Sequence, residues 1–209
     1  MREVNGVPET RPAFSVKIPY DAPMARERLS RRIETELRAL DSGTRLVVLC
    51  VGTDRSTGDA LGPLVGTELV RSGCPLFDVY GTLDDPVHAV NLEDTVKRIG
   101  KTVSRPFVIA VDASLGQLSS VGCIQFGSGP VRPGSGVNKK LPPVGDVHLT
   151  GIVNVGGFME YFVLQNTRLS LVMNMANVIA QSLLGAVERS RGRFNPFASP
   201  TGLPSFPPE

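Results

Sequence analysis

Few features of this sequence point to a nucleic-acid-binding, secreted or membrane-bound protein. Basic and acidic side chains nearly cancel, 22 Lys and Arg against 20 Asp and Glu, for a formal net charge of +2. The charges are interspersed, so the chain lacks the basic patch or stripe that marks nucleic-acid binding or attraction to an anionic membrane. Cys50, Cys74 and Cys123 are odd in number and show no CxxC spacing. That argues against a disulfide framework or a zinc knuckle and fits a reducing compartment. Cys50 and Cys123 fall within apolar, strand-like runs, where a cysteine acts as a small buried hydrophobe. Met1 to Thr10 is polar and has no signal-peptide core. No apolar stretch approaches the ~20 residues that span a bilayer. The expected setting is the cytoplasm, with neither nucleic acid nor membrane as partner. No internal repeat is visible.

What is present is the composition of a globular protein: 209 residues, 41% apolar and 20% charged. Residues 1–22 read as an extended arm, residues 23–190 as a single α/β domain, and residues 191–209 as a Pro-rich, disordered tail with five prolines from Asn195 onward. The domain opens with an amphipathic helix whose stripe is Leu29, Ile33, Leu37 and Leu40, expected at the domain edge. Leu46–Val51 is a continuous apolar run ended by Gly52, as in a strand buried on both faces. A helix is expected from Asp59 to Val70, a strand over Phe77–Tyr80, and a helix from Asn91, with Asn91 as its cap. Further strands are expected at Phe107–Val111, ending at Asp112, then Gly122–Phe126 and Val147–Val153. Helices over residues 158–164 and 168–189 close the domain. Alternating strands and helices predict a mostly parallel, twisted sheet between helical layers, a three-layer α/β sandwich. Ligands gather beyond the carboxyl ends of the strands in such sheets.

The loop and helix start Gly52-Thr-Asp-Arg-Ser-Thr-Gly-Asp-Ala-Leu-Gly-Pro63 invite a phosphate-loop reading. That reading fails, because Gly58 is followed by Asp59 and Ala60 where Lys and Ser or Thr are needed. The dinucleotide pattern GxGxxG is absent as well. The segment instead offers a carboxylate, Asp59, at a helix start where the dipole favours its ionised form. Alone, it would be an ordinary capping residue. Asp112, directly after a second buried strand, belongs to the same edge and changes that balance. Two carboxylates there suit acid–base work on a water, and they equally suit a divalent cation. Asp54 is either a third member or a loop aspartate bonding its own turn. His148, at the start of a strand, is either a ligand or proton carrier or a structural histidine, and His88 reads as a solvated loop residue. Asp112-Ala-Ser-Leu-Gly116 approaches a nucleophile elbow but lacks its first glycine. The segment Arg132-Pro-Gly-Ser-Gly-Val-Asn-Lys-Lys140 could hold a carboxylate or a peptide backbone, or be a plain solvated loop.

In chain order, Gly52–Pro63, Val111-Asp-Ala113 and Pro133-Gly-Ser-Gly-Val-Asn-Lys-Lys140 resemble three motif regions of the spore germination protease family. The likeness is strongest to its YyaC-type sporulation branch and runs from about Leu46 to Ala180. It includes Pro86-Val-His-Ala-Val-Asn-Leu92 and Gly145-Asp-Val-His-Leu-Thr-Gly-Ile-Val-Asn-Val-Gly-Gly157. The wider superfamily includes the hydrogenase maturation proteases. This resemblance implies a phosphorylase/hydrolase-like sandwich of the hydrogenase-maturation-protease type. It also implies peptide-bond hydrolysis in the forespore or mother-cell cytoplasm, with a protein or peptide as substrate. Asp59 and Asp112 match the catalytic acidic pair, with Asp54, Ser135, Asn138 and Lys139 as candidate substrate contacts. No cofactor is expected unless a divalent metal ion is used, in which case Asp59, Asp112 and His148 are the expected ligands. A binding or regulatory protein on the same scaffold is the alternative, and a homo-oligomer is left open.

Overall fold

The computed structural model describes residues 13–133, 141–157 and 159–192. Among these residues six strands form one sheet in the order β1-β5-β6-β4-β2-β3. They are β1 Ser15–Pro19, β2 Arg45–Cys50, β3 Phe77–Tyr80, β4 Pro106–Gly116, β5 Cys123–Ser128 and β6 Val147–Val155. β2 pairs in parallel with β3 and β4, and β4 with β6, whereas β5 runs against both β6 and β1. The sheet is therefore mixed, with β5 alone reversed. Helix α2 (Leu61–Arg71) links β2 to β3 and α3 (Leu92–Thr102) links β3 to β4, the crossover that a parallel pair requires.

Side chains alternate across each strand, so the two faces of the sheet bury different helices. On β2, Leu46, Val48 and Cys50 pack with α1 (Ala25–Arg38), α2 and α5 (Leu169–Arg191). Val47 and Leu49, together with Val51, pack on the other side with Leu92 and Ile99 of α3 and with Val87 and Val144. The result is the expected α/β sandwich of helices, sheet and helix. All three cysteines are buried and unpaired. Burial pushes the Cys50 thiol far above its ordinary range, which leaves it inert as a nucleophile.

Several sequence expectations need correction. The extended arm contains an edge strand, because β1 pairs with β5 from Ser15↔Gly127 to Pro19↔Cys123. Helix α1 buries its apolar stripe, Leu29 and Ile33 being fully enclosed, and lies against α5 with its other face exposed. The two helices are also joined by polar contacts, Ser30 Oγ donating to Ser182 O at 2.7 Å and Ser182 Oγ to Arg26 O at 3.0 Å. By length and composition α5 is apolar enough to cross a membrane, contrary to the reading of the sequence, yet half of that window is buried inside the protein. Its Val172, Met175, Ile179 and Leu183 are core residues, so α5 serves as a core helix. Asn91 precedes α3 but its side chain does not cap it; Oδ1 accepts from His88 N and Nδ2 donates to Pro86 O, tying the preceding loop. β4 continues to Gly116 because its pairing with β6 extends to Gly116↔Val155. Asp112-Ala-Ser-Leu-Gly116 is thus extended strand and cannot form a nucleophile elbow. The Pro-rich tail lies outside the described residues.

Candidate active site

The site forms because β2 stops while β4 runs on. Cys50 is paired with Val111, and Val51 N still donates to Val111 O at 2.7 Å. Asp112 is therefore at the level where β2 gives way to loop. That loop folds back over the strand end, and two glycines make this fit. Gly52 holds φ 149°, and a Cβ there would lie 2.0 Å from Asp59 O. At Gly62 a Cβ would lie 2.1 Å from Val51 O. Only a bare backbone allows so close an approach. Thr53 N donates to Asp59 O at 3.2 Å, and the 3-10 turn Gly58–Ala60 presents Asp59. Alternation along β4 puts Asp112 on the face of Ala110, opposite Val111 and Ala113.

Asp112 is only 9% exposed, and its Oδ1 accepts from Ala113 N at 2.9 Å. Burial pushes its carboxyl well above the usual range; the nearby Asp59 charge pushes it further, against a small opposing effect of the Ala113 N–H. Burial raises Asp59 too, and the Ser56 hydroxyl partly offsets that. The expectation that a helix N-terminus would favour ionised Asp59 is therefore reversed. The residue sits in a three-residue 3-10 turn, where lost solvation is the larger influence on it. Among the described residues no cation relieves the pair: Arg55 is exposed and turns its Nε to Thr53 Oγ1 at 3.4 Å. Asp112, buried, and Asp59, half-buried, thus both hold a proton more tightly than a free carboxyl, with the Asp59 charge acting on Asp112.

The remaining candidates are placed differently. Asp54 is exposed and accepts from Thr53 Oγ1 at 3.4 Å within its own turn. His148 lies two positions before Thr150, the residue paired with Asp112, toward the start of β6. Its Nδ1 lies 3.0 Å from Gly129 O; a carbonyl only accepts, so Nδ1 carries the proton. His88 follows Val87, which bridges to Val51, so the topology brings His88 to the carboxyl edge. Among the described residues no three His, Cys, Asp or Glu side chains are placed to hold a metal ion. The set Asp59, Asp112 and His148 is therefore not assembled as a metal site. Ser135, Asn138 and Lys139 lie outside the described residues.

One site residue carries no distinguishing mark in the sequence. Ser56 is 6% exposed, and among the described residues its Oγ meets no acceptor at full hydrogen-bonding geometry, although it lies near enough to Asp59 to lower that carboxyl's proton affinity. A serine in a polar loop gives no sign of burial; only its place three residues before Asp59 could have drawn notice.

A family described as "Protein of unknown function (DUF1256)" matches residues 17–182. The chain belongs to this family. A relative, "Uncharacterized protein YyaC" of Bacillus subtilis (strain 168), is 60% identical over 163 residues, covering 77% of this chain and 80% of that protein. The DUF1256 match begins inside β1 and ends within α5, so it takes in all six strands and both aspartates. The crystal structure of the NiFe hydrogenase maturation protease HycI from Thermococcus kodakarensis KOD1 aligns with a TM-score of 0.42 at 20% identity. That alignment covers 71% of this chain and 98% of HycI.

Proposed function

We propose that this protein is a peptidase that hydrolyses a peptide bond with the Asp59–Asp112 pair. The observation that carries the reading is a buried carboxyl, Asp112, near a half-buried one, Asp59, both with raised proton affinity and with no cation beside them among the described residues. Such a pair holds one acid and one base near neutral pH. The ionised member takes a proton from a water as the water oxygen bonds to the scissile carbonyl carbon. The protonated member gives its proton to the leaving amine as the carbon–nitrogen bond breaks. Ser135, Asn138 and Lys139 would hold the substrate backbone or the developing oxyanion. The sporulation setting, the cytoplasm of the forespore or mother cell, rests on the motif resemblance.

The test is intact mass spectrometry after incubation with small acid-soluble spore proteins, run beside Asp59→Asn. Defined cleavage by the wild type alone supports the peptidase. Uncleaved substrate in both samples refutes it for this substrate class.

A second reading, a binding or regulatory protein, is favoured by one observation. Met159, Tyr161 and Phe162, at and within α4 (Glu160–Gln165), are exposed, as are Leu169 and Met173 at the start of α5. Exposed apolar patches often mark partner surfaces. On that reading Asp59→Asn keeps its partner in a pull-down.

A further inference from the structure

The strongest unexplained group in the molecule is the Ser56 hydroxyl. Among the described residues it is one of two buried side-chain positions whose polar atom lacks a hydrogen bond, the other being Arg191 Nη2 at the opposite end of the sheet. Ser56 is held firmly, for Ala60 N donates to Ser56 O at 3.0 Å, which fixes it at the head of the turn carrying Asp59. Ser56 stands just before the 3-10 turn Gly58–Ala60, on the chain that Ala60 N closes back upon, and its hydroxyl lies near enough to Asp59 to lower that carboxyl's proton affinity. The neighbouring polar groups are otherwise engaged: Thr53 Oγ1 accepts from Arg55 N and Nε and donates to Asp54 Oδ1. A buried donor without an acceptor is costly unless some state of the site supplies one. The acceptor within its reach is the Asp59 carboxylate.

We propose that Ser56 is the positioning residue of the pair: its hydroxyl donates to ionised Asp59, which makes Asp59 the base and leaves the shared proton on Asp112. This rests on the peptidase reading for its catalytic meaning, though not for its test. The assignment agrees with the surroundings of each carboxyl. Asp112 is the more deeply enclosed, and among the described residues the donor on its oxygens is Ala113 N. Among the described residues the charged groups around the turn do not compete. Arg55 is engaged with Thr53, Asp54 is exposed, and Glu160 at the start of α4 accepts from Gly157 N at 3.2 Å.

The experiment is a carbon-13 NMR titration of aspartate-labelled protein without substrate, with the signals assigned through Asp59→Asn and Asp112→Asn. In Ser56→Ala the Asp59 midpoint should move to higher pH and the Asp112 midpoint to lower pH, because a less ionised Asp59 repels its neighbour less. Ser56→Thr, which keeps the hydroxyl, should restore the wild-type order. If the peptidase activity is real, Ser56→Ala should lose roughly tenfold in kcat/KM on the acid side of the profile, the scale of one hydrogen bond to a charged group. That loss should shrink as pH rises. Should Ser56→Ala not fold, Ser56→Cys, a weaker donor, must shift both midpoints in the same directions. Unchanged midpoints in a folded variant overturn the proposal whether or not the protein cleaves anything. Shifted midpoints without turnover sustain it and refute the peptidase reading alone.

Discussion

Asp112 stands in β4 at the level where β2 ends, and Asp59 stands on the turn folded over that same end, so the charge of Asp59 raises the proton affinity of Asp112. Two carboxyls far apart in the chain thus become one titrating unit. Their apparent pKa values belong to the pair and not to either residue.

Replacement of either aspartate by asparagine should reduce turnover by roughly 100-fold or more, the usual range for a general acid or base. The wild-type profile should be bell-shaped, since activity needs one proton on the pair and is lost with two or none. Steady-state kinetics across pH, with far-UV dichroism as a check on folding, measures this. Equal loss at all pH values with an unfolded spectrum would mean that the substitution had damaged the scaffold instead.

The same burial makes the site a cost to stability near neutral pH. Burial raises the folded-state pKa of Asp112 above that of the unfolded chain, so the folded protein binds more protons between the two values. Stability from this group is fully present below the ordinary carboxylate range and is lost as pH rises through the raised value. Asp112→Asn should therefore be more stable than the wild type near neutral pH. In acid the difference should vanish. Urea denaturation at the two pH values checks the sign, and a variant less stable at neutral pH would contradict it.

Much of this was legible in the sequence because burial leaves a pattern. Leu46–Val51 announces a strand covered on both faces, and the polar loop with Gly58 and Asp59 announces a turn at its carboxyl end. Asp112 was found for the same reason, as a charge closing an apolar run. β1 was not legible: Ser15–Pro19 is a short edge strand, and such a strand is specified by its pairing with β5 and not by its own composition. The extension of β4 beyond Asp112 likewise depends on β6, far along the chain. The direction of the Asp59 shift depends on how much solvent the turn excludes, which no local pattern encodes. Ser56 was invisible for that reason also.

Gly52 offers a test of the turn without touching either carboxyl. Gly52→Ala would place a Cβ against Asp59 O at a positive φ. Stability should fall by roughly 2 kcal/mol or more, and Asp59 should be displaced, so the loss of activity should exceed what unfolding explains. Gly100→Ala is the control, since Gly100 is exposed in α3 and a Cβ there meets nothing within 4 Å. It should be neutral or stabilising by up to about 1 kcal/mol. Thermal melts and activity of the two variants decide the matter, and equal behaviour would remove the steric argument.

The contact between α1 and α5 provides the complementary case, a buried polar network that belongs to stability alone. Ser30 is 2% exposed, donates to Ser182 O and accepts from Arg189 Nη2 at 2.7 Å. Arg189 also binds Glu34 through Nε at 2.7 Å, so it keeps a partner when Ser30 is removed. Ser182 O keeps its place in the ladder of α5, accepting from the N–H four residues on, so it loses one of two donors. Ser30→Ala should therefore cost about 1 kcal/mol, the scale of one buried hydrogen bond. It should leave kcat, KM and the pH profile unchanged. Chemical denaturation and kinetics on the same preparation separate the two effects. A shifted pH profile in Ser30→Ala would mean that the helical layer is coupled to the aspartate pair through the sheet, and the assignment of the pair's titration to its immediate neighbours would then fail.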